Sequence, residues 1–302
     1  MKAIIPIAGK GTRLLPHTEV RQKALLPVGG QPILDHIIEP LVEGGVTEVS
    51  LVVGYLGDQV RDHMARYSHL EVTFIEQQQQ QGLGHAVLLA LDGGDDPVLI
   101  VLGDTIFELD FGAFISGGGN SVGVVGVDDP QRFGIVEATE GVVVNMVEKP
   151  SEPVSNLALA GIYRIEYQRK LKEALETLID SRTRTKEEYQ LTDALSLMVH
   201  SGEVFHTHRV DGWLDCGTTE TLLTTNHRLL QSRDGPFIHP EATVERSTVR
   251  SSSIMENCRV LDSTLEDCIV LPGASLEKCH IHDEIVAEGA ELQEYSSGGQ
   301  GK

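Results

Sequence analysis

Between Ile238 and Leu292 the apolar residues fall into a rhythm that neither a helix nor an ordinary strand can produce. Ile238, Val244, Val249, Ile254, Val260, Leu265, Val270, Leu276, Ile281, Val286 and Leu292 succeed one another at steps of six, five and five residues, a period of 16. A helix repeats near 3.6 and a strand at 2, so three inward residues per repeat describe a coil with three sides, each turn stacked on the last. The register recurs in Pro240 to Val244, Glu256 to Val260, Pro272 to Leu276 and Glu288 to Leu292. The expectation is a short β-helix of the left-handed, hexapeptide-like type over 236–294. It would run about three and a half turns, with Ala and Cys at corners or interior. Tyr295 to Lys302 offers little to bury and is expected to be a flexible tail.

The first hundred residues have another texture. Ala3 to Ile7, Val49 to Val53, Val72 to Ile75 and Val98 to Leu102 are apolar and β-branched, as buried strands are. Between the first two, Ile33, Leu34, Ile37, Ile38, Leu41 and Val42 recur at three- and four-residue intervals, one face of a helix that Gly44 and Gly45 stop. This βαβ alternation predicts an α/β fold with a doubly wound, mostly parallel, Rossmann-like sheet, here assigned to a catalytic domain over 1–235. Ligands of such sheets lie beyond the carboxyl ends of the strands, which brings forward the residues after Ile7 and after Leu102.

A formal net charge of −21 argues against a nucleic acid polymer as partner, whose phosphates demand a basic face. Small anions are another matter. Among the first 34 residues Lys2, Lys10, Arg13, Arg21 and Lys23 face a single acid other than the chain's later ones, Glu19, a locally positive island suited to phosphate. The longest apolar run, Val98 to Leu102, is far short of the roughly 20 residues that span a bilayer, and the start lacks a signal-peptide core. The expectation is a soluble, cytoplasmic protein with no membrane partner. Cys216, Cys258, Cys268 and Cys279 form no CxxC pair and read as small buried side chains.

After the first strand come Gly9-Lys10-Gly11-Thr12-Arg13 and then Lys23. Glycines here let several backbone N–H groups face one anion, and Arg13 and Lys23 add charge for a triphosphate. The third glycine of a dinucleotide fingerprint and the Gly-Lys-Ser/Thr ending of a P-loop are both missing. Downstream stand Gly82 to Val87 (GLGHAV), Leu102 to Asp104 (LGD), Arg132 to Glu137 (RFGIVE), Glu148 to Pro150 (EKP), Ser155 to Tyr163 (SNLALAGIY) and Trp213 to Thr218 (WLDCGT). With GxGTRLxP at Gly9 to Pro16 and the lysine of KxLLPV at Lys23, these motifs resemble the sugar nucleotidyltransferase family from about Lys2 to Leu230. The nearest resemblance is to long-type glucose-1-phosphate thymidylyltransferases, then to UTP-glucose-1-phosphate uridylyltransferases.

The resemblance implies an enzyme joining a pyrimidine nucleoside triphosphate, dTTP or UTP, to glucose 1-phosphate or a related sugar 1-phosphate. Arg13 and Lys23 would hold the triphosphate, with Gly9, Gly11 and Thr12 around it. Asp104 and Asp215 would coordinate Mg2+, and Gln77 and Gly82 would contact the base. Gln77 stands in a run of five glutamines that reads equally as a polar loop. Leu83, Gly134, Glu148, Lys149 and Gly161 would meet the sugar phosphate. Taken singly, Arg13 reads as a surface arginine, Asp104 and Asp215 as caps, and Glu148 with Lys149 as an exposed ion pair. Family members usually have proline before the lysine; Gln22 stands there, and a slightly looser loop is expected. The repeat carries none of these residues, so it is expected to serve stability and homo-oligomer assembly. The rival readings are a non-catalytic regulatory or scaffolding paralogue, and acyl transfer by the repeat through His280 or His282.

Overall fold

The computed structural model describes residues 1–233 and 235–297. By packing, the chain divides into two units: Met1–Lys10 with Ile37–Trp213, and Gly11–His36 with Leu214 onward. That partition differs from the expected division at 235/236, because the segment Gly11–His36 packs with the repeat.

The first unit is built on a nine-stranded sheet. Its order is Glu71–Glu76, Glu48–Val53, Lys2–Pro6, Val98–Val101, Leu157–Ile165, Asn120–Gly126, Phe205–Arg209, Val142–Glu148 and Gly134–Thr139. The first four run parallel, with Ile4 opposite both Ser50 and Ile100, as the βαβ alternation predicts. Beyond them the expectation of a mostly parallel sheet fails. Leu157–Ile165 runs antiparallel to both neighbours, and only Phe205–Arg209 against Asn120–Gly126 is parallel again. The sheet is mixed because this half is joined by short returns. Glu140 (φ 50°) and Gly141 (φ 80°) close Gly134–Thr139 onto Val142–Glu148 in a two-residue turn, for which positive φ at both positions matches the strand twist. Helices Leu83–Ala90, Gln168–Asp180 and Leu191–His200 bring Val87, Leu171, Leu175 and Leu195 into one core with Ile4, Ile100 and Val122 of the sheet. In Ile33–Glu43 the expected face is inside: Ile33, Leu34, Ile37, Ile38 and Leu41 are fully buried.

In the second unit the 16-residue period becomes three parallel sheets, each strand paired with the one 16 residues on: Ile254 with Val270, Val260 with Leu276, Leu265 with Ile281. The side chains expected inward form one core with Cys258, Cys268, Ala274 and Cys279. Ile238, first in the series, is 42% exposed because no turn precedes it. Burial pushes the Cys268 thiol up to about 11, as for a small apolar side chain. Each corner turns through a left-handed residue, and these too recur every 16: Arg246, Asp262, Lys278 and Glu294; Ser251, Asp267 and Asp283; Asn257, Gly273 and Gly289. Along the first of these stacks opposite charges meet, Arg246 on Asp262 at 2.6 and 2.8 Å and Lys278 near Glu294 at 3.5 Å.

Of the expected tail, Tyr295 and Ser297 are held by hydrogen bonds. The Tyr295 hydroxyl donates to the Glu284 carboxylate at 3.2 Å and the Ser297 N–H to the His280 carbonyl at 2.9 Å, while 298–302 lie outside the described residues. Among the described residues no helix is long and apolar enough to cross a membrane.

Candidate functional site

In the second unit, Gly11 (φ 64°) opens a short turn, Thr12–Leu14, that presents Thr12 and Arg13 to solvent. A Cβ at Gly11 would sit 2.9 Å from the Thr18 methyl and 3.1 Å from Lys23 Cβ, so the position is closed to other residues on both counts. The buried Thr18 hydroxyl donates to the Gly11 carbonyl at 2.9 Å and ties the two halves of the loop together. Gln22 is buried; its Oε1 accepts from the Ala24 N–H at 2.5 Å and caps the turn Lys23–Leu25 with φ −61°. That φ is the one proline would impose and the side chain adds a cap, so the loop before Lys23 is held rather than loosened. Asp215 ends the strand Gly212–Asp215. Its Oδ1 accepts from the Gly217 N–H at 2.9 Å and its carbonyl from the Thr225 hydroxyl at 2.9 Å. A Cβ at Gly217 would lie 2.8 Å from Asp215 Oδ1 and 3.3 Å from an Arg13 guanidinium nitrogen, so Arg13 and Asp215 converge on one glycine.

In the first unit, Gly9 follows the strand Lys2–Pro6 and is exposed, and Asp104 follows Val98–Val101 and is partly buried. The helix Leu83–Ala90 starts at Leu83, with Gly82 before it and the Gly84 N–H on the Tyr189 carbonyl at 2.8 Å. Gln77 is buried. Its Nε2 donates to the Gly82 carbonyl at 3.3 Å and to His85 Nδ1 at 3.0 Å. A carbonyl can only accept, so the amide nitrogen lies on that side and the imidazole presents a bare Nδ1. Burial depresses the His85 imidazole, which favours this neutral form.

Gly134 and Lys149 gather around the Glu148 carboxylate, whereas Gly161 lies against Leu102. Gly134 pairs with Glu148 across two strands, and a Cβ there would meet Glu148 Oε2 at 3.0 Å and Thr192 Oγ1 at 2.9 Å. The Thr192 hydroxyl donates to Glu148 Oε2 at 2.7 Å, and the Lys149 ammonium stands 3.4 Å from Oε1. Lys149 has φ 43°, unusual for a side-chain-bearing residue and of the kind that gathers at functional sites. Tyr163 is buried near Glu148, and its hydroxyl is pushed up by desolvation and then by that charge. The Gly161 carbonyl accepts from the Leu102 N–H at 2.9 Å, and the Trp213 indole donates to the Ala160 carbonyl at 2.8 Å, its ring edge-on to Phe133 at 5.4 Å. Thr192 was missed from sequence; a threonine just inside the helix Leu191–His200 reads as an unremarkable first-turn residue.

Each unit thus carries one cluster: a loop turned by glycines that bears an arginine and a lysine, and a carboxylate held by a hydroxyl beside a second lysine. The nucleotidyl transferase family model matches residues 2–232, and the chain belongs to that family. Bifunctional protein GlmU of Methanococcus vannielii is 38% identical over 239 residues, 77% of this chain and 56% of that protein. UTP--glucose-1-phosphate uridylyltransferase AglF of Haloferax volcanii is 33% identical over 239 residues, 76% of this chain and 96% of that one. The crystal structure of UDP-glucose pyrophosphorylase complexed with UDP-glucose aligns with a TM-score of 0.66 at 25% identity, covering 77% of this chain and 99% of the other. The chain thus spans about half the length of the first of these relatives.

Proposed function

We propose that the protein transfers the nucleotidyl group of UTP or dTTP to glucose 1-phosphate or a related sugar 1-phosphate, giving an NDP-sugar and pyrophosphate. The observation that carries this reading is the Glu148 carboxylate, fixed by Thr192, beside Lys149, in a space only glycine leaves open at position 134. A carboxylate accepts from sugar hydroxyls and a lysine meets the sugar phosphate, with Gly134 beside them and Leu83 and Gly161 assigned to the same substrate. Similarity to AglF along nearly all of that enzyme favours UTP and glucose 1-phosphate.

In this reading an oxygen of the sugar phosphate attacks the α-phosphorus in line, a new P–O bond forms, and the bond to the bridging α,β-oxygen breaks with its electrons leaving on pyrophosphate. The nucleophile is already an anion, so no side chain need remove a proton. Arg13 and Lys23 hold the triphosphate and stabilise the departing charge, with the backbone of Gly9, Gly11 and Thr12 turned toward the phosphates. Asp104 and Asp215 offer hard carboxylate oxygens, the donor set that Mg2+ prefers, and the Gly217 N–H orients the latter. Bound there, Mg2+ would neutralise phosphate charge. Gln77 has its amide N–H groups turned to Gly82 and His85, which gives the base its Oε1, an acceptor for the N3–H of uracil or thymine. The same reading keeps the coil left-handed and the protein cytoplasmic and homo-oligomeric.

Pyrophosphate release measured across UTP, dTTP, CTP, ATP and GTP with several sugar 1-phosphates tests it. UTP or dTTP should exceed each purine by about tenfold, roughly 1.4 kcal/mol. A purine ahead of both, or no release with any pair, overturns it; the second outcome is what a scaffolding paralogue gives.

A further inference from the structure

We propose that the last turn of the coil positions the triphosphate-binding segment through an ion pair between Arg21 and Glu288. The inference rests on the reading of Arg13 and Lys23 as triphosphate ligands. Arg21 lies two residues before Lys23. Its Nε and Nη2 both reach Glu288 Oε2, at 3.0 and 2.9 Å, across 267 residues of sequence. Glu288 immediately precedes Gly289 of the corner stack Asn257, Gly273 and Gly289, and the Gly289 N–H is fixed on the Pro272 carbonyl at 2.9 Å. Earlier in the same loop His17 is partly buried, and burial lowers its imidazole below the ordinary value. In the same turn as Glu288, Glu284 accepts from the Tyr295 and Ser297 hydroxyls at 3.2 and 3.1 Å, which ties down the end of the coil.

The other end of the segment is bound as firmly. Asn226, fully buried, accepts from the Gly29 N–H at 2.9 Å and from the Ser253 hydroxyl at 2.6 Å with the same oxygen, joining the loop, a helix and the second side of the coil. The Phe237 ring lies against Gly30, where a Cβ would come within 2.5 Å of it. Lys23 therefore sits on a strap whose two ends are pinned to different turns of the same stack, and Arg13 precedes it in the loop that Thr18 ties to Gly11. An ion pair as exposed as Arg21–Glu288 adds little to folding stability, so altering it separates positioning from stability.

The test compares Arg21→Glu, Glu288→Arg and the exchanged double variant. Steady-state pyrophosphate release should show the KM for the nucleoside triphosphate raised threefold or more in each single variant. The KM for sugar phosphate should stay within twofold, melting temperature should be unchanged, and the double variant should recover to within twofold of wild type. Equal damage to both substrates, wild-type values in the single variants, or a double variant no better than either overturns the proposal. Amide hydrogen exchange over residues 12–25 gives a reading that needs no turnover: faster in each single variant and restored in the double. If the wild-type protein releases no pyrophosphate, the enzymatic reading fails on its own, and the exchange pattern still decides whether the ion pair holds the segment.

Discussion

Asp104 and Asp215 would each pass for a turn residue if met alone, and their proposed roles predict an outcome that turn residues would not give. Replacing either with Asn preserves size and hydrogen bonding but removes an anionic oxygen from a cation that prefers such ligands. Turnover in Asp104→Asn and in Asp215→Asn should fall by about a hundredfold or more, while the melting temperature barely moves. Near-normal turnover with a lowered melting temperature would instead mark both as structural. Gln77 makes a finer prediction. With its amide nitrogen committed to Gly82 and His85, it accepts the N3–H of uracil, and cytosine has no such hydrogen. UTP should therefore exceed CTP in kcat/KM by tenfold or more, and His85→Leu, which frees the amide to turn, should shrink the ratio. A ratio that survives His85→Leu would show that the imidazole does not set the amide. Thr192 deserves a variant too: Thr192→Val keeps the shape, removes the donor to Glu148, and should raise the KM for sugar phosphate several-fold with a smaller change in that for nucleotide.

At the scale of elements, the coil was the most legible part of the chain, since each inward position repeats a burial requirement that nothing else satisfies. Val260, Leu265 and Leu276 are where the period puts them, fully buried. Leu265→Ala should accordingly cost about 2–5 kcal/mol in chemical denaturation, a cavity with no easy collapse. The antiparallel half of the sheet was not legible. Strands such as Leu157–Ile165 are buried along nearly their whole length, and a continuous apolar run carries no sign of direction. Nor was the fit of Gln22, because its cap replaces proline by different chemistry. The loop and base elements also carry a pH dependence. Burial holds the imidazoles of His17 and His85 below their ordinary 6.5. The unfolded chain then binds protons that the folded one refuses, so this part of the stability is complete above about pH 6.5 and is lost as the pH falls below it. Thermal melts should drop between pH 7.5 and 5.5, and by less in a His17→Gln, His85→Gln variant; an equal drop would remove these two groups from the account.

For the whole molecule, the family signature and the proposed ligand residues could be assembled from motifs, whereas the partnership of Gly11–His36 with the repeat could not. Its contacts, such as Arg21 to Glu288, lie 267 residues apart and use ordinary polar side chains. The division of labour expected from sequence, chemistry in one part and assembly in the other, changes with it. Removing the chain from Pro236 onward would strip away Phe237, Ser253 and Glu288 together, leaving the segment that carries Arg13 and Lys23 without its floor. The truncated protein should lose most turnover and show a lowered melting temperature; full activity in a well-folded truncation would contradict this.

The 16-residue corner period also turns the coil into a ruler. Pro240, Glu256, Pro272 and Glu288 mark successive levels of one edge, and only the last meets Arg21. Solenoids commonly gain and lose units during evolution, since each repeat contacts only its neighbours. Here the first level is fixed by Phe237 on Gly30 and the last by Glu288 on Arg21, so the strap spans a set number of turns. Deleting one turn in phase would leave the core continuous, yet lower Glu288 by one strand spacing, about 4.8 Å, beyond the reach of a 2.9 Å contact. Descendants of this chain are then free to vary the residues of the coil but not the count of its turns, and a lineage with one turn fewer should have moved the basic residue as well.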